Sequence, residues 1–503
     1  MGVVIESSVW ELNPSIYIFI FVCCCFSIFL FPHASNLNRT STIFDHGTSH
    51  SFLRFQRNFL FVYSLASVME GLWSVFGEYE FASYGIGRET MVKSLCYGYT
   101  TALFAAPFLG VLSDLIGHKK ASLIFCILHF IFGIWKMISE QPSVFMTSTC
   151  LSLANTIFSF SFENWMVTQH EKQGHRLDSL NDTYWLMSFF ESACFIASQM
   201  FANWLIGNNT GKNTAPSFVV IFFAATCFAF ITRGWTETPG TAFLKEYSRS
   251  FYAYILGDKR IWLLAWAQTC LHFSIGIFWI LWAPTVVADG REVQLGLIYP
   301  CFLGSRMLGS AAFPCLTSGP SSFRTEDCLV FAYIILSLLL SIVAYDYQEI
   351  GVLVTLFCLF HACVGFVLPS LARLRTMYVP NELRGGMMGF SLAPANGAIL
   401  LSVVQGGYYR NVENATLMAF GVCGLLLAAG CMHALKQWGK QPYNNWHKQQ
   451  GEINFKKDTN IDYYLHTLLL GFAYGGYIQL HKLWKLLSES VSGDECQLLQ
   501  KSI

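Results

Sequence analysis

Several ionisable side chains stand inside long apolar segments of this 503-residue sequence, namely Glu70, Lys136, Glu163, Glu191 and Arg306. A charge in the hydrocarbon core of a membrane is costly, so such residues pair, line water, or bind an ion or solute. Arg306 lies at the centre of its segment, too far from either end to reach water easily. Its planar guanidinium is suited to bind a tetrahedral or carboxylate oxyanion. The alternative is an ion pair with Glu70 or Glu163.

The acidic residues allow two kinds of role. Glu70 is suited to couple protons or bind a cation, or else it pairs with Lys136. Glu163 and Glu191 are predicted at similar depths, and two neighbouring carboxylates favour protonation of one of them, as a proton carrier requires. For Glu191 the alternative is a hydrated position near the membrane surface. Asn396, beside a proline and a glycine in an apolar segment, can hydrogen-bond a solute.

The elements that must position these residues are membrane helices. Hydrophobic residues make up 54% of the chain and charged residues 12%, whereas soluble proteins carry about 25% charged residues. Basic and acidic residues number 31 each, so no excess of positive charge points to nucleic acid. The 17 cysteines lie mostly in apolar runs, where they act as small hydrophobic residues. We therefore expect neither a metal site nor a cofactor.

The apolar segments predict one leading membrane helix and two sets of six, in an all-α membrane protein. The leading segment, near 16–31, lacks a preceding basic stretch and a cleavage site, so we expect an uncleaved helix. The twelve further spans are predicted near 52–77, 94–116, 121–139, 143–169, 183–207, 215–235, 261–288, 294–318, 328–345, 350–371, 385–408 and 415–435. The predicted units are an N-terminal helix and linker (1–51), a first half (52–235), a central cytoplasmic loop (236–260), a second half (261–440) and a cytoplasmic tail (441–503) with a candidate interfacial helix at 463–480.

Basic residues between the spans predict the orientation of the chain. All of the following fall on one side of the alternating path: Arg54, Arg57, Lys172, Arg176, Lys245, Arg249, Lys259, Arg260, Arg373, Arg375, Arg384, Lys436 and Lys440. By the positive-inside rule this side is cytoplasmic, which places Met1 outside. Glycosylation sequons at Asn208 and Asn414 then lie outside, whereas those at Asn38 and Asn181 lie inside.

A loop motif between the second and third of the twelve spans carries a family resemblance. Gly110, Asp114 and Gly117 are followed by His118 and the basic pair Lys119 and Lys120. This pattern resembles the loop motif of the major facilitator superfamily. The resemblance implies two six-helix halves, a solute site near the midplane between them, and a conformational switch at this loop. The glycines allow close helix approach, and Asp114 can accept hydrogen bonds from a neighbouring helix N-terminus.

Residues 51–410 also resemble a narrower branch, the eukaryotic molybdate-anion transporters. The matching segments are Ser-Phe-Leu-Arg-Phe-Gln at 51–56, Phe162-Glu163 with Trp165, and Pro369-Ser370 with Arg375. Two positions depart from that branch, since relatives have arginines where this chain has Ser148 and Leu392. A divalent oxyanion needs compensating charge, so these two replacements weaken the assignment of molybdate.

The resemblance implies a secondary active transporter for molybdate or a similar oxyanion, working by alternating access. Its expected partners are a small anionic solute, protons as a candidate coupling ion, and the lipid bilayer, with no nucleic acid. We expect a multi-pass protein of the plasma membrane and no enzymatic activity, because His129, His272 and His361 are too isolated for a membrane desaturase or acyltransferase. The remaining alternatives are a facilitator for an unrelated organic solute, such as a sugar, and a non-transporting sensor on the same scaffold.

Overall fold

The fold is described from a computed structural model. It covers residues 14–39, 50–83, 87–139, 143–175, 177–208, 215–237, 244–287, 293–317, 324–345, 350–409 and 412–438. The predicted tail, 441–503, and its candidate interfacial helix lie outside the described residues.

Within the described ranges every regular element is helical. The α-helices are α1 (Pro14–Arg39), α2 (His50–Ser83), α3 (Arg88–Ile116), α4 (His118–Ile138), α5 (Val144–Lys172), α6 (Leu177–Asn208), α7 (Ala215–Gly234), α8 (Leu244–Phe251), α9 (Lys259–Val286), α10 (Leu295–Thr317), α11 (Thr325–Ala344), α12 (Ile350–Tyr378), α13 (Arg384–Val403) and α14 (Asn414–Trp438). Short π-helical segments follow α8 (Tyr252–Leu256) and α13 (Val404–Tyr408), and a 3₁₀ turn (Asn381–Leu383) precedes α13.

The predicted all-helical fold is confirmed. Each of the twelve predicted spans corresponds to one helix, α2–α7 in the first half and α9–α14 in the second, and α1 precedes them. Among the described residues, nine helices are long and apolar enough to cross a membrane by length and composition. Two details differ from the predictions. The helix α12 continues seven residues beyond the predicted end, because Arg375 is satisfied inside the protein, and the predicted central loop contains α8.

Helix boundaries follow from local chemistry. Gly117 separates α3 from α4 with a φ of 98°, a left-handed conformation that costs glycine little. Asp258 precedes α9, and its carboxylate accepts a hydrogen bond from the backbone N–H of Arg260 at 2.8 Å. This N-cap satisfies a donor that the first turn of the helix leaves free.

Small residues bring particular helix pairs into backbone contact. A Cβ added at Gly110 would lie 2.3 Å from the Gly385 carbonyl oxygen, and one at Gly389 would lie 2.2 Å from that of Ala106. The α3–α13 pair, which joins the two halves, is therefore closely packed through glycine. Within the second half, Gly309 and Gly365 do the same for α10 and α12, since added Cβ atoms would lie 1.8 Å and 2.0 Å from carbonyl oxygens of the opposite helix.

The leading helix α1 packs against α10. Tyr17 and Cys24 are buried, and the Cys24 thiol lies 3.6 Å from the Ser305 hydroxyl, with either atom able to donate. The Cys301 thiol donates to the Tyr17 carbonyl oxygen at 3.1 Å. Gly304 leaves room for Phe21, whose ring would lie 3.0 Å from an added Cβ. The helix that carries Arg306 is thus covered on one side by α1.

Candidate functional site between the halves

The ion pair of Arg306 and Glu191 lies where α10 of the second half meets α6 of the first. The Arg306 Nη2 atom donates to Glu191 Oε1 at 2.9 Å, and the two side chains are 12% and 18% exposed. The Tyr63 hydroxyl donates to the other carboxylate oxygen at 2.8 Å. The Arg306 Nε atom is buried with no hydrogen-bond partner among the described residues. The guanidinium therefore holds a carboxylate and keeps one donor in reserve.

A second ion pair joins the halves nearer the end of the bundle that contains Asp114. This end, which the sequence predicts to be cytoplasmic, is called the inner end below. Arg375 on α12 binds Glu163 on α5 through both carboxylate oxygens, with Nη2 at 2.7 Å from Oε2 and 2.9 Å from Oε1. Its Nη1 atom donates to Gln268 Oε1 at 3.3 Å. Arg375 is only 7% exposed, so its predicted place in a cytoplasmic loop is wrong.

Glu70 lies in a polar cluster inside the first half. Its Oε1 atom is 3.1 Å from His129 Nε2, and the Trp73 indole N–H donates to the other ring nitrogen of His129 at 3.1 Å. The Lys136 ammonium lies over the Trp73 ring, 4.7 Å from its centroid, and 5.5 Å from that of Phe132. Burial against aromatic faces stabilises a cation that water cannot reach.

The remaining predicted solute contact and the two departures from the molybdate branch are buried. Asn396 is 8% exposed on α13 and Leu392, one turn earlier, is 4% exposed. Ser148 on α5 exchanges a hydrogen bond of 2.6 Å with Ser94 on α3. These two positions add no positive charge, so the basic character of the interior depends on Arg306, Arg375 and Lys136.

Asp114 fastens α3 to the start of α13 at the inner end. The backbone N–H groups of Gly385 and Gly386 donate to its two carboxylate oxygens at 2.9 and 2.8 Å, and the Tyr247 hydroxyl donates at 2.8 Å. A carboxylate at a helix N-terminus is stabilised by the free N–H groups and the helix dipole. Burial and the Asp114 carboxylate raise the pKa of Tyr247 far above its usual value, so its hydroxyl stays a donor.

The rest of the loop motif supports this seam. The Ser113 hydroxyl lies 2.9 Å from His118 Nδ1, with roles set by the tautomer, and His118 is 5% exposed. Lys119 donates to the carbonyl oxygens of Thr232 and Trp235 at 3.2 and 2.7 Å, which ties α4 to the end of α7. Lys120 is exposed. The motif therefore works through contacts of several kinds, and only Asp114 and Gly110 touch the opposite half directly.

The predicted glycosylation sites lie at the ends of helices. Asn414 is exposed at the first position of α14, and Asn208 is the last residue of α6. Modification of either site stays a prediction. Within the described ranges, no group of three or more His, Cys, Asp or Glu side chains is placed to hold a metal ion.

Sequence reasoning missed three residues of the inner end, namely Tyr247, Arg375 and Arg384. Tyr247 stood in a segment predicted as loop, although an aromatic residue between charged ones in Leu-Lys-Glu-Tyr-Ser-Arg-Ser-Phe is typical of a short amphipathic helix. The two arginines were used only to assign orientation. Their signal was weak, because a basic residue at the end of a membrane span is usually solvated.

Together these contacts close the inner end across both halves. Opening it requires α3 to leave α13, Glu163 to leave Arg375, and the Tyr184 hydroxyl of α6 to leave Thr376 of α12. At mid-depth, an anion that reaches Arg306 has to replace the Glu191 carboxylate. Two bundles joined by breakable polar contacts around a charged interior are the arrangement that alternating access requires.

Comparisons with known proteins agree with this architecture. The model of a family described as sugar transporters with 12 TM segments matches residues 34–365. The molybdate-anion transporter of Takifugu rubripes is 23% identical over 425 residues, covering 76% of this chain and 87% of the relative. That of Xenopus tropicalis is 25% identical over 407 residues, covering 76% and 86%.

Solved structures show the same fold at low identity. The E. coli fucose:proton symporter FucP aligns with a TM-score of 0.63 at 11% identity, covering 77% of this chain and 99% of that one. The human organic anion transporter MFSD10 aligns with a TM-score of 0.59 at 13% identity, covering 75% and 99%. The resemblance carried by the loop motif is thus confirmed, and this chain belongs to the major facilitator superfamily as a multi-pass membrane transporter.

Proposed function

We propose that this transporter moves molybdate or a similar small oxyanion across the plasma membrane by alternating access. The observation that carries the proposal is the Arg306–Glu191 pair. It presents a mostly buried guanidinium at the contact of the two halves, already bound to an oxygen anion and with its Nε donor unused. A tetrahedral oxyanion offers the same oxygen geometry as the carboxylate, with more acceptors. The molybdate-anion transporters among the relatives support this choice of solute.

The pair suggests how the anion is bound. The solute takes the place of Glu191 on Arg306 and adds a hydrogen bond from the unused Nε atom. Glu191 then keeps its Tyr63 partner and loses its cation, so its carboxylate becomes costly in a low dielectric. Uptake of a proton by Glu191 removes that cost. This exchange makes proton coupling a property of the same site and agrees with protons as the candidate coupling ion.

The inner contacts supply the alternation. With the anion bound, the halves separate at the inner end by breaking the Asp114 and Arg375 contacts, and the solute leaves. Without it, Glu191 returns to Arg306 and the empty carrier resets. The exchange of two anions for one cation therefore prevents the interior from being crossed with an uncompensated charge.

Uptake of radiolabelled molybdate into proteoliposomes tests the proposal. We expect uptake by the wild type, loss of about tenfold or more in Arg306→Ala, and a lower KM with a lower kcat in Glu191→Gln, which removes the competing carboxylate. Lys93→Gln is the matched control, since Lys93 pairs with Glu89 at an exposed site, and it should transport normally. Wild-type uptake equal to that of empty liposomes rejects molybdate, and full uptake by Arg306→Ala removes Arg306 from the site.

The same liposomes separate the oxyanion from an uncharged solute. The family description names sugars, so labelled fucose is assayed beside molybdate and sulfate. Sugar uptake that survives Arg306→Ala, without anion uptake, would replace the proposal by a sugar facilitator. Surface biotinylation of the tagged chain in cultured cells tests the plasma-membrane location, and labelling confined to intracellular fractions would reject it.

A further inference from the structure

Arg384, the first residue of α13, is the largest fully buried side chain of the described residues, with 1% of its surface exposed. Its Nε, Nη1 and Nη2 atoms have no hydrogen-bond partner among those residues. A buried guanidinium without a bonded partner costs several kcal/mol and is rarely left so. Arg384 therefore indicates that something completes its surroundings.

The nearest charge does not do so by hydrogen bonding. Arg384 lies within electrostatic range of Asp114, His118 and Tyr184. The Asp114 oxygens, however, accept from the two backbone N–H groups that follow Arg384 and from Tyr247. Asp114 thus balances part of the charge and leaves the guanidinium donors free.

A second unpartnered polar group faces the same region. Asn164 on α5 is 1% exposed, and neither atom of its carboxamide has a partner among the described residues. The Ser122 and Ser161 hydroxyls meet at 3.4 Å between the antiparallel helices α4 and α5. One turn further toward the inner end, this register places Asn164 at the level of His118. The helix α5 also contacts α13 and the 3₁₀ turn that directly precedes Arg384.

The three arginines of the second half now form a pattern. Arg306 and Arg375 each hold a glutamate of the first half, namely Glu191 and Glu163. At Arg384 the first half supplies the uncharged Asn164 in place of a carboxylate. The position that an acidic side chain occupies at the first two arginines is the position that a small anion can occupy at the third.

We propose that Arg384 and Asn164 form a second binding site for a small oxyanion, a station at the inner end that the solute occupies before release. The guanidinium supplies a fork of charged donors and the amide N–H₂ supplies a neutral one, which together suit the oxygens of a tetrahedral dianion. This inference rests on the proposed function for the identity of the solute. The site itself follows from the two unpartnered side chains.

The test measures how many oxyanions the purified full chain binds in nanodiscs, using labelled molybdate and sulfate. We expect two classes of site in the wild type. Arg306→Gln should lose one class, and Arg384→Gln should weaken the other by about tenfold or more while retaining the first, which also shows that the variant is folded.

Asn164→Asp gives the sharpest arm, because it supplies Arg384 with the carboxylate that the pattern lacks. We expect it to abolish the second class while raising the melting temperature in the absence of anions. Gln437→Glu, which adds the same charge at an exposed position of α14, should leave both classes and the melting temperature unchanged.

The outcomes separate the two proposals. A single wild-type class that is lost in Arg306→Gln and kept in both Arg384→Gln and Asn164→Asp overturns the inner station and leaves the proposed function standing. A class that is lost in Arg384→Gln and Asn164→Asp, with none lost in Arg306→Gln, supports the station and rejects Arg306 as the solute site. A wild type that binds neither anion rejects both.

Discussion

Substitution of Gly389 by alanine should open the inner end of the transporter. The added Cβ would lie 2.2 Å from the Ala106 carbonyl oxygen and 3.3 Å from the Gly110 Cα atom, both on α3. Because an ordinary contact of this kind is about 3.4 Å, α3 and α13 would have to separate by about 1 Å. Overpacking of this size costs about 1–3 kcal/mol in the closed state. The cost disappears once the helices part, so the population of the inner-open state should rise by about 5- to 150-fold.

Hydrogen–deuterium exchange measures this change directly. The Gly385 and Gly386 N–H groups are protected by Asp114 only while the seam is closed, so their exchange should accelerate by the same factor. Gly397→Ala is the matched control on the same helix, since its added Cβ would meet only the Leu103 side chain at 3.5 Å. Equal exchange in the two variants, with wild-type helix content in both, would refute the claim that glycine packing holds this seam closed.

Three further predictions concern single contacts. Arg375→Gln should lower the melting temperature strongly, because removing one partner of a buried pair costs about 3–5 kcal/mol, whereas Glu163→Gln combined with Arg375→Gln should recover most of the loss. Tyr247→Phe should speed exchange at the α3–α13 seam by about tenfold or more, since it removes a hydrogen bond to the Asp114 carboxylate, and unchanged exchange would show that α8 does not hold the seam. Burial raises the pKa of Glu237, against the opposing effect of nearby lysines, so the folded state favours its protonated form. That stabilisation is complete in acid and is lost as the pH rises, so Glu237→Gln should melt above the wild type at pH 7.5 but not at pH 4; a constant difference would argue against it.

Much of the fold was predictable because the bilayer constrains it strongly. Apolar segments of about 20 residues give the spans, and the spacing of Gly110, Asp114 and Gly117 gives the family. The same residues predicted that Asp114 would meet a helix N-terminus, and its hydrogen bonds to Gly385 and Gly386 are of that kind. These signals are local, so they are legible in a single sequence.

The pairing of the charges was not predictable in this way. Arg306 was expected to pair with Glu70 or Glu163 if it paired at all, yet its partner is Glu191, and Glu70 lies against His129 instead. Similar depth in the membrane says nothing about which face of a helix a residue occupies. Arg375 shows the same limit, since a basic residue near a helix end looks solvated until the opposite half supplies Glu163 and Gln268. Pairings across the halves depend on how helices rotate and dock, which residue spacing within one helix does not report.

The glycine contacts between α10 and α12 have a kinetic consequence. Gly309 and Gly365 join these helices at the backbone, and the pair carries Arg306 on one member and Arg375 on the other. Two helices joined so closely move as one lever, so a displacement that begins when Glu191 releases Arg306 reaches the Arg375 contact in the same stroke. Transport should then show one rate-limiting conformational step, with substitutions at either arginine changing the same rate constant.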